Sequence, residues 1–385
     1  MAFTMSGRPL YWRLLVFTIL AFLISLSTAS LGDMLPDFKE CVTVSRFLER
    51  RHLKQELDHK QLTVDTRSRY ARLKIATVER HIYVRIGSFL RTLSIFILRA
   101  NPDLDCCLQA LHLRLLLWDC PAECDYTCQH IITDRRVNRD PPMLDPVVQF
   151  HGKWPFYRTL GMQETFSVIF SFMNLLAHHH GMSRVRESIP PSYPLRRFYL
   201  AFGYFGLASW VFSMVFHTRD LPLTEKLDYY GAGASVMYGL YLSVVRIFRL
   251  DQTRPRYKPT LLRYWTFICT GLYIGHASYL SFWSWNYTYN MAANVAVGIV
   301  QNCLWTWFSI SRYRKYMKSW TAWPGMIVAW IIVAMSLELL DFPPWYGLID
   351  AHSLWHLGTV VPTAWWYLFL VRDAQDDIAG ERLKA

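Results

Sequence analysis

Between residues 161 and 371, apolar side chains gather into seven stretches of about twenty residues, and the strongly polar positions fall between them. The stretches run over 161–180, 197–217, 228–247, 261–283, 288–310, 320–341 and 352–371. A helix of that length crosses the hydrocarbon core of a bilayer. It also satisfies its own backbone hydrogen bonds, as a lipid-exposed chain must. The pattern therefore predicts an all-α membrane protein whose main domain, 161–371, is a seven-transmembrane helix bundle.

The loops then set the orientation. The first carries Arg184, Arg186, Arg196 and Arg197; the third Arg246, Arg249, Arg254, Arg256, Lys258 and Arg263; the fifth Arg312, Arg314, Lys315 and Lys318. Basic residues concentrate in cytosolic loops, so these three loops are expected in the cytosol, together with the tail 372–385. The second, fourth and sixth loops hold few basic residues. They include Asp220, Glu225, Asp341, Asp350 and the sequon Asn286-Tyr-Thr288, a candidate glycosylation site on the lumenal side.

The amino-terminal part agrees with that orientation. Residues 1–29 combine Arg8 and Arg13, an apolar run from Leu14 to Ile24 and the small residues Ser27, Thr28 and Ala29. This predicts a signal peptide cleaved after Ala29, an uncleaved membrane helix being the alternative. Residues 30–160 then form a cysteine-containing lumenal segment, with disulfide candidates Cys41, Cys106, Cys107, Cys120, Cys124 and Cys128. A zinc knuckle is the other reading of the last three, although their spacing lacks a C-x2-C pair. Within the segment, 46–105 is an atypical basic insertion: Arg46 to Arg99 holds thirteen Lys and Arg against five Asp and Glu. Trp154 and the phenylalanines beside it, around Pro155, suit a membrane interface.

Composition narrows the function classes. Of 385 residues, 52% are hydrophobic and 16% aromatic, above the usage of ordinary soluble domains. A net charge of +12 in a soluble protein would suggest nucleic acid. Here much of it sits in short loops between apolar segments, where it sets topology, and no nucleic-acid partner is expected.

Candidate chemistry lies at one depth. His352 and His356 are four residues apart on the predicted last helix, so they share a face and can grip one metal ion. His217 ends the second helix at the lumenal side, Ser213 precedes it by one turn, and Asp228 opens the third helix beyond Pro222. Three imidazoles binding Zn2+ leave a position for water, whose pKa falls to about 7. Asp228 can take the water's proton, and Ser213 can donate to the oxyanion of a tetrahedral intermediate. Glu164, Asp220, Glu338 and Asp341 are candidates for supporting the ligands. The run His178-His179-His180 is read as interface residues at the cytosolic end of the first helix, and Asn174 and His276 as interhelical hydrogen-bonding groups.

Five motifs carry a family resemblance: Phe150-His-Gly-Lys-Trp-Pro-Phe156, Phe216-His-Thr-Arg-Asp220, Leu223-Thr-Glu-Lys-Leu-Asp228, Leu339-Leu-Asp-Phe-Pro-Pro344 and Asp350-Ala-His-Ser-Leu-Trp-His356. Over 110–371 they resemble the post-GPI-attachment-to-proteins factor three family, the GPI-specific phospholipases A2. That family is similar to the alkaline ceramidases and adiponectin-receptor-like proteins. The resemblance implies a zinc site of His217, His352 and His356 with Ser213 and Asp228 beside it. It also implies removal of the sn-2 acyl chain from GPI-anchored proteins, in contact with membrane lipids, in the endoplasmic reticulum or, alternatively, the Golgi membrane. A second cysteine is implied where Ser45 stands. From spacing alone, a lumenal ceramidase-like zinc amidase and a non-catalytic lipid receptor use the same five residues, whereas a scaffold for lipid-linked cargo would tolerate mutation at His352.

Overall fold

The computed structural model describes residues 30–46, 110–252 and 259–382. The predicted signal peptide, most of the basic insertion, Cys106 and Cys107 lie outside the described residues. The described chain is helical, with only isolated β-bridges and no strand. It divides into two compact units, Thr28–Pro155 and a unit that contains Phe156–Ala385.

In the amino-terminal unit, Leu31–Met34, residues 36–46, Leu111–Leu115 and Cys120–Val137 are helical. The last of these starts where Asp119 accepts a hydrogen bond from the Ala122 amide, with Pro121 in the first turn, a position that needs no amide donor. Its buried face, Cys128 and Ile132, packs with Phe38, Val148 and Phe150. A disulfide joins Cys41 to Cys128 across this core, and the Ser45 hydroxyl lies 3.7 Å from the Cys128 sulfur. Phe150 is therefore a core residue rather than an interfacial one, and Phe156 is equally buried in the other unit. His151 sits on the surface of the amino-terminal unit between Asp125 and Asp33, its Nε2 3.1 Å from Asp125. The hydrogen bond to Asp125 raises the His151 pKa above its ordinary value.

Seven long helices are described in the larger unit: α1 Thr165–Ser188, α2 Arg196–Thr218, α3 Pro222–Ile247, α4 Pro259–Phe282, α5 Tyr287–Tyr316, α6 Trp323–Leu340 and α7 Ala351–Arg382. Each overlaps one of the predicted apolar stretches. Three segments are both long and apolar enough to cross a membrane: Arg196–Thr218, Ser319–Leu340 and Ala351–Gly380. The other four have the length but carry polar groups such as Asn174 in α1, Asp228 in α3, His276 in α4 and Asn290 in α5. α7 continues through the polar residues after 371, and α1 runs on to Ser188.

Helix adjacency closes a ring, with α1 between α2 and α7, α3 beside α2, and α5 and α6 completing the circuit back to α7. α4 packs chiefly on α3. Its Tyr264, Phe267 and Phe282 face outward, as do Phe172 of α1 and Val333 of α6, which suits an apolar surrounding. Inside, one end of the bundle is close-packed by aromatic and aliphatic side chains, including Tyr199, Trp305, Phe308, Trp320, Tyr367 and Phe369. Glycines let the helices approach there. A Cβ at Gly206 would collide with the His178 ring, and one at Gly181 with the Tyr367 ring.

Charged groups close that end. The Arg246 guanidinium donates to Asp373 at 2.5 and 2.8 Å, both side chains being buried. Arg312 also reaches Asp373, at 3.2 Å, while Arg249 pairs with Asp377 at 2.6 Å and Lys318 with Asp376 at 2.6 Å. The aspartates all come from the extension of α7 beyond the apolar stretch. Several basic residues that mark loops in the sequence thus have ionic partners in the fold.

Candidate metal centre

The opposite end of the bundle is polar, and three histidines meet there. α2 ends at Thr218, which places His217 in its last turn with 2% exposure. The segment entering α1 pairs with this helix end through its backbone: the Gln163 amide donates to the Thr218 carbonyl at 3.0 Å, and the Glu164 amide to the His217 carbonyl at 2.9 Å. That pairing brings the Glu164 carboxylate to the ring, with Oε2 2.7 Å from His217 Nδ1.

α7 is started by a reciprocal cap. Asp350 Oδ1 accepts from the Ser353 amide at 2.8 Å, and Ser353 Oγ accepts from the Asp350 amide at 3.0 Å. Satisfying these otherwise orphaned amides fixes the first turn. His352 lies in that turn and His356 one turn later on the same face. Glu338, near the end of α6, places Oε2 2.6 Å from His352 Nδ1. Ser171, in the second turn of α1, places Oγ 2.9 Å from His356 Nδ1. Asn174, one turn further along, donates to the His356 carbonyl at 2.7 Å and accepts from Thr359 at 3.2 Å.

Every one of the three rings thus has its Nδ1 engaged by a side chain from a segment distant in sequence and turns its Nε2 inward. His352 Nε2 lies 3.0 Å from His356 Nε2 and 3.4 Å from His217 Nε2. An Nδ1 that donates to a carboxylate leaves the lone pair on Nε2. Lone pairs so close together call for a cation between them. A tetrahedral zinc bound at about 2.0–2.1 Å from each nitrogen needs nitrogens about 3.3 Å apart, so the spacing fits. The carboxylates of Glu164 and Glu338 also bring two negative charges to offset a dication in a low-dielectric setting. His217 is closed off with 3% side-chain exposure, whereas His352 has 37%. Approach to the site is from the His352 side.

The other predicted residues are placed as follows. Ser213 is buried one turn before His217, its Oγ 3.0 Å from Ser171 Oγ. Asp228 is half-buried in the second turn of α3, at the same end of the bundle, because α3 already starts at Pro222. Asp220 lies in the α2–α3 turn, where its amide donates to the Gln163 side chain at 3.2 Å. Asp341 ends α6 with φ 39°. Asn286 caps α5 by accepting from the Tyr289 amide at 3.0 Å. His276 bonds across helices to Asn290 at 3.2 Å, as expected.

The histidine run departs from expectation. Because α1 extends to Ser188, His178 is not at a helix end but buried at 4% exposure, 2.9 Å from the Tyr367 hydroxyl of α7. His179 and His180 are exposed. Ser171 is the site residue that the motif reading missed. A signal existed: Glu164, Ser167, Ser171 and Asn174 are spaced three, four and three residues apart, a polar stripe along the mostly apolar stretch 164–177.

The model of the Per1-like family matches residues 110–374, which contain the whole site. The chain is 45% identical to the "Protein PER1 homolog" of Schizosaccharomyces pombe over 276 residues, which covers 71% of this chain and 81% of that protein. It is 36% identical to the "GPI-specific phospholipase A2-like PGAP3" of Xenopus laevis, covering 69% of this chain and 80% of that protein. It is likewise 36% identical to "Protein PER1" of Saccharomyces cerevisiae, over 68% of this chain and 79% of that protein. With the family model matched along most of its length and relatives this similar, the chain belongs to the Per1-like family.

Proposed function

We propose that this protein is a hydrolase of GPI-anchor remodelling that removes the sn-2 acyl chain from GPI-anchored proteins. In this reading the chain spans the endoplasmic reticulum membrane seven times, with the histidine end facing the lumen. The observation that carries it is the inward convergence of three Nε2 atoms whose Nδ1 atoms are each held by a side chain distant in sequence. The names of the relatives, which include a GPI-specific phospholipase A2-like protein, supply the substrate class.

A zinc ion held by His217, His352 and His356 supplies Lewis acidity and brings the pKa of water to about 7. The chain's own residues do the rest. Glu164, Glu338 and Ser171 orient the rings, Asp228 accepts the water's proton, and the Ser213 hydroxyl donates to the oxyanion. An sn-2 ester lies between headgroup and hydrocarbon, at the depth where helix ends place His217 and His352. A site built into helix ends meets that ester without lifting the lipid out of the bilayer.

The test is mass spectrometry of GPI anchors from cells lacking the protein, rescued by wild type or His352→Ala. Wild type restores anchors from which the sn-2 chain has been removed, and His352→Ala does not. Full rescue by His352→Ala refutes the reading. So does purified, zinc-loaded protein that releases fatty acid from ceramide while leaving the GPI sn-2 chain intact.

A further inference from the structure

Ser171 touches two residues of the site at once, and its hydrogen bonds have only one consistent direction. Its Oγ lies 2.9 Å from His356 Nδ1 and 3.0 Å from Ser213 Oγ, and all three residues are buried. When His356 offers its Nε2 lone pair inward, with the other two rings, its Nδ1 carries hydrogen. Ser171 therefore cannot donate to Nδ1. Its hydroxyl hydrogen goes to its other neighbour, Ser213 Oγ. Between two hydroxyls only one hydrogen lies on the line, so the hydrogen of Ser213 points elsewhere.

Ser213 has no hydrogen-bonding neighbour other than Ser171 among the described residues. Its hydroxyl hydrogen is thus free to serve a substrate oxygen. Among the described residues no base hydrogen-bonds Ser213: the three Nδ1 atoms are engaged by Glu164, Glu338 and Ser171, and the three Nε2 atoms face one another. A serine nucleophile needs such a base.

We propose that Ser171 is a positioning residue that receives the Nδ1 hydrogen of His356 and passes its own to Ser213, holding Ser213 as a donor toward the reacting oxygen and not as a nucleophile. This rests on the hydrolase reading above and adds the direction of its hydrogen bonds. It implies that the acyl group passes directly to water, with no acyl-serine formed.

The experiment is a double-mutant cycle on detergent-purified, zinc-loaded protein. The substrate is a GPI-anchored reporter in mixed micelles, labelled in its sn-2 chain. The variants are Ser171→Ala, Ser213→Ala, the double variant and Ser171→Thr. Zinc affinity, measured by competition with a chelator, is the readout that does not depend on turnover. Ser213→Ala lowers kcat by about a hundredfold, the usual cost of one oxyanion donor, with KM and zinc affinity unchanged. Ser171→Ala lowers kcat by a similar factor and weakens zinc about tenfold, because His356 loses an oriented partner. The double variant turns over no more slowly than Ser213→Ala at saturating zinc, and Ser171→Thr regains both zinc affinity and kcat. A fluorophosphonate, which reports a serine nucleophile, leaves Ser213 unlabelled.

Additive losses in the double variant overturn the proposal, as does labelling of Ser213 or an acyl-serine trapped on the chain. If the Ser171→Thr variant does not fold, the additivity of the two alanine variants still decides. Wild-type protein that binds zinc but leaves the reporter intact refutes the hydrolase reading itself, and this inference with it.

Discussion

Replacing Glu164 and Glu338 by Gln, one at a time, separates the two carboxylates of the site by their surroundings. Each change keeps the shape and one acceptor oxygen but removes the charge that His217 or His352 faces through Nδ1. The pairs have nearly the same length, 2.7 and 2.6 Å. Their exposure differs: His217 and Glu164 are 3% and 5% exposed, whereas His352 is 37% exposed and Glu338 9%. A buried charge-assisted hydrogen bond is worth more than one beside solvent, which screens the charge and can substitute a water. Loss of such a partner typically weakens metal binding by 10–100-fold, about 1.4–2.8 kcal/mol. Glu164→Gln is therefore expected near the upper figure and Glu338→Gln near the lower. Titration of detergent-purified protein with zinc against a chelator of known affinity measures both, with helical content by circular dichroism as the control for folding. Equal affinity in both variants and wild type would show that the carboxylates do not orient metal ligands. A larger loss in Glu338→Gln would refute the argument from burial.

Removing the metal should lower thermal stability, since zinc held at 1,000 times its Kd contributes about 4 kcal/mol; melting with and without chelator shows the drop in wild type and none in His217→Ala or His356→Ala. At the other end of the bundle, Arg246→Ala removes both short hydrogen bonds from the buried Asp373 and leaves it the longer contact with Arg312; it should cost about 3 kcal/mol, the low end for a broken buried pair, read as a lower melting temperature. Replacing both by apolar residues of similar volume, Arg246→Met with Asp373→Leu, should recover much of that loss. In the amino-terminal unit the raised His151 pKa means that its bridge to Asp125 is fully present below the unfolded value of 6.5 and is lost as pH rises through the folded value. Because the ring is 59% exposed, the effect on stability is under about 1 kcal/mol; NMR titration of His151 in wild type and Asp125→Asn, which should bring the pKa down, checks it.

The positions of the seven long helices were legible in the sequence, because the length and apolarity of a stretch are local properties. The meeting of the three histidines was legible for a related reason: His352 and His356 at i and i+4 share a helix face, and Pro222 separates His217 from Asp228 into two helices whose junction lies at the same end. Which carboxylates support the rings was not. Glu164, Asp220, Glu338 and Asp341 all fall near that end, and only packing of α1 on α2 and of α6 on α7 brings Glu164 and Glu338 to the Nδ1 atoms. Likewise the six clustered cysteines allow many pairings, and the fold joins Cys41 to Cys128 because Phe38, Ile132 and Phe150 pack around them. His178 was misplaced because apolarity stops near residue 180, whereas α1 continues to Ser188 under contacts with its neighbours. Ser171 had little to distinguish it until α1, α2 and α7 met, since a serine's role is set by what its hydroxyl touches. Local pattern decides where helices form and which residues share a face; the partners of a buried polar group are decided by helices distant in sequence, and only their packing reveals them.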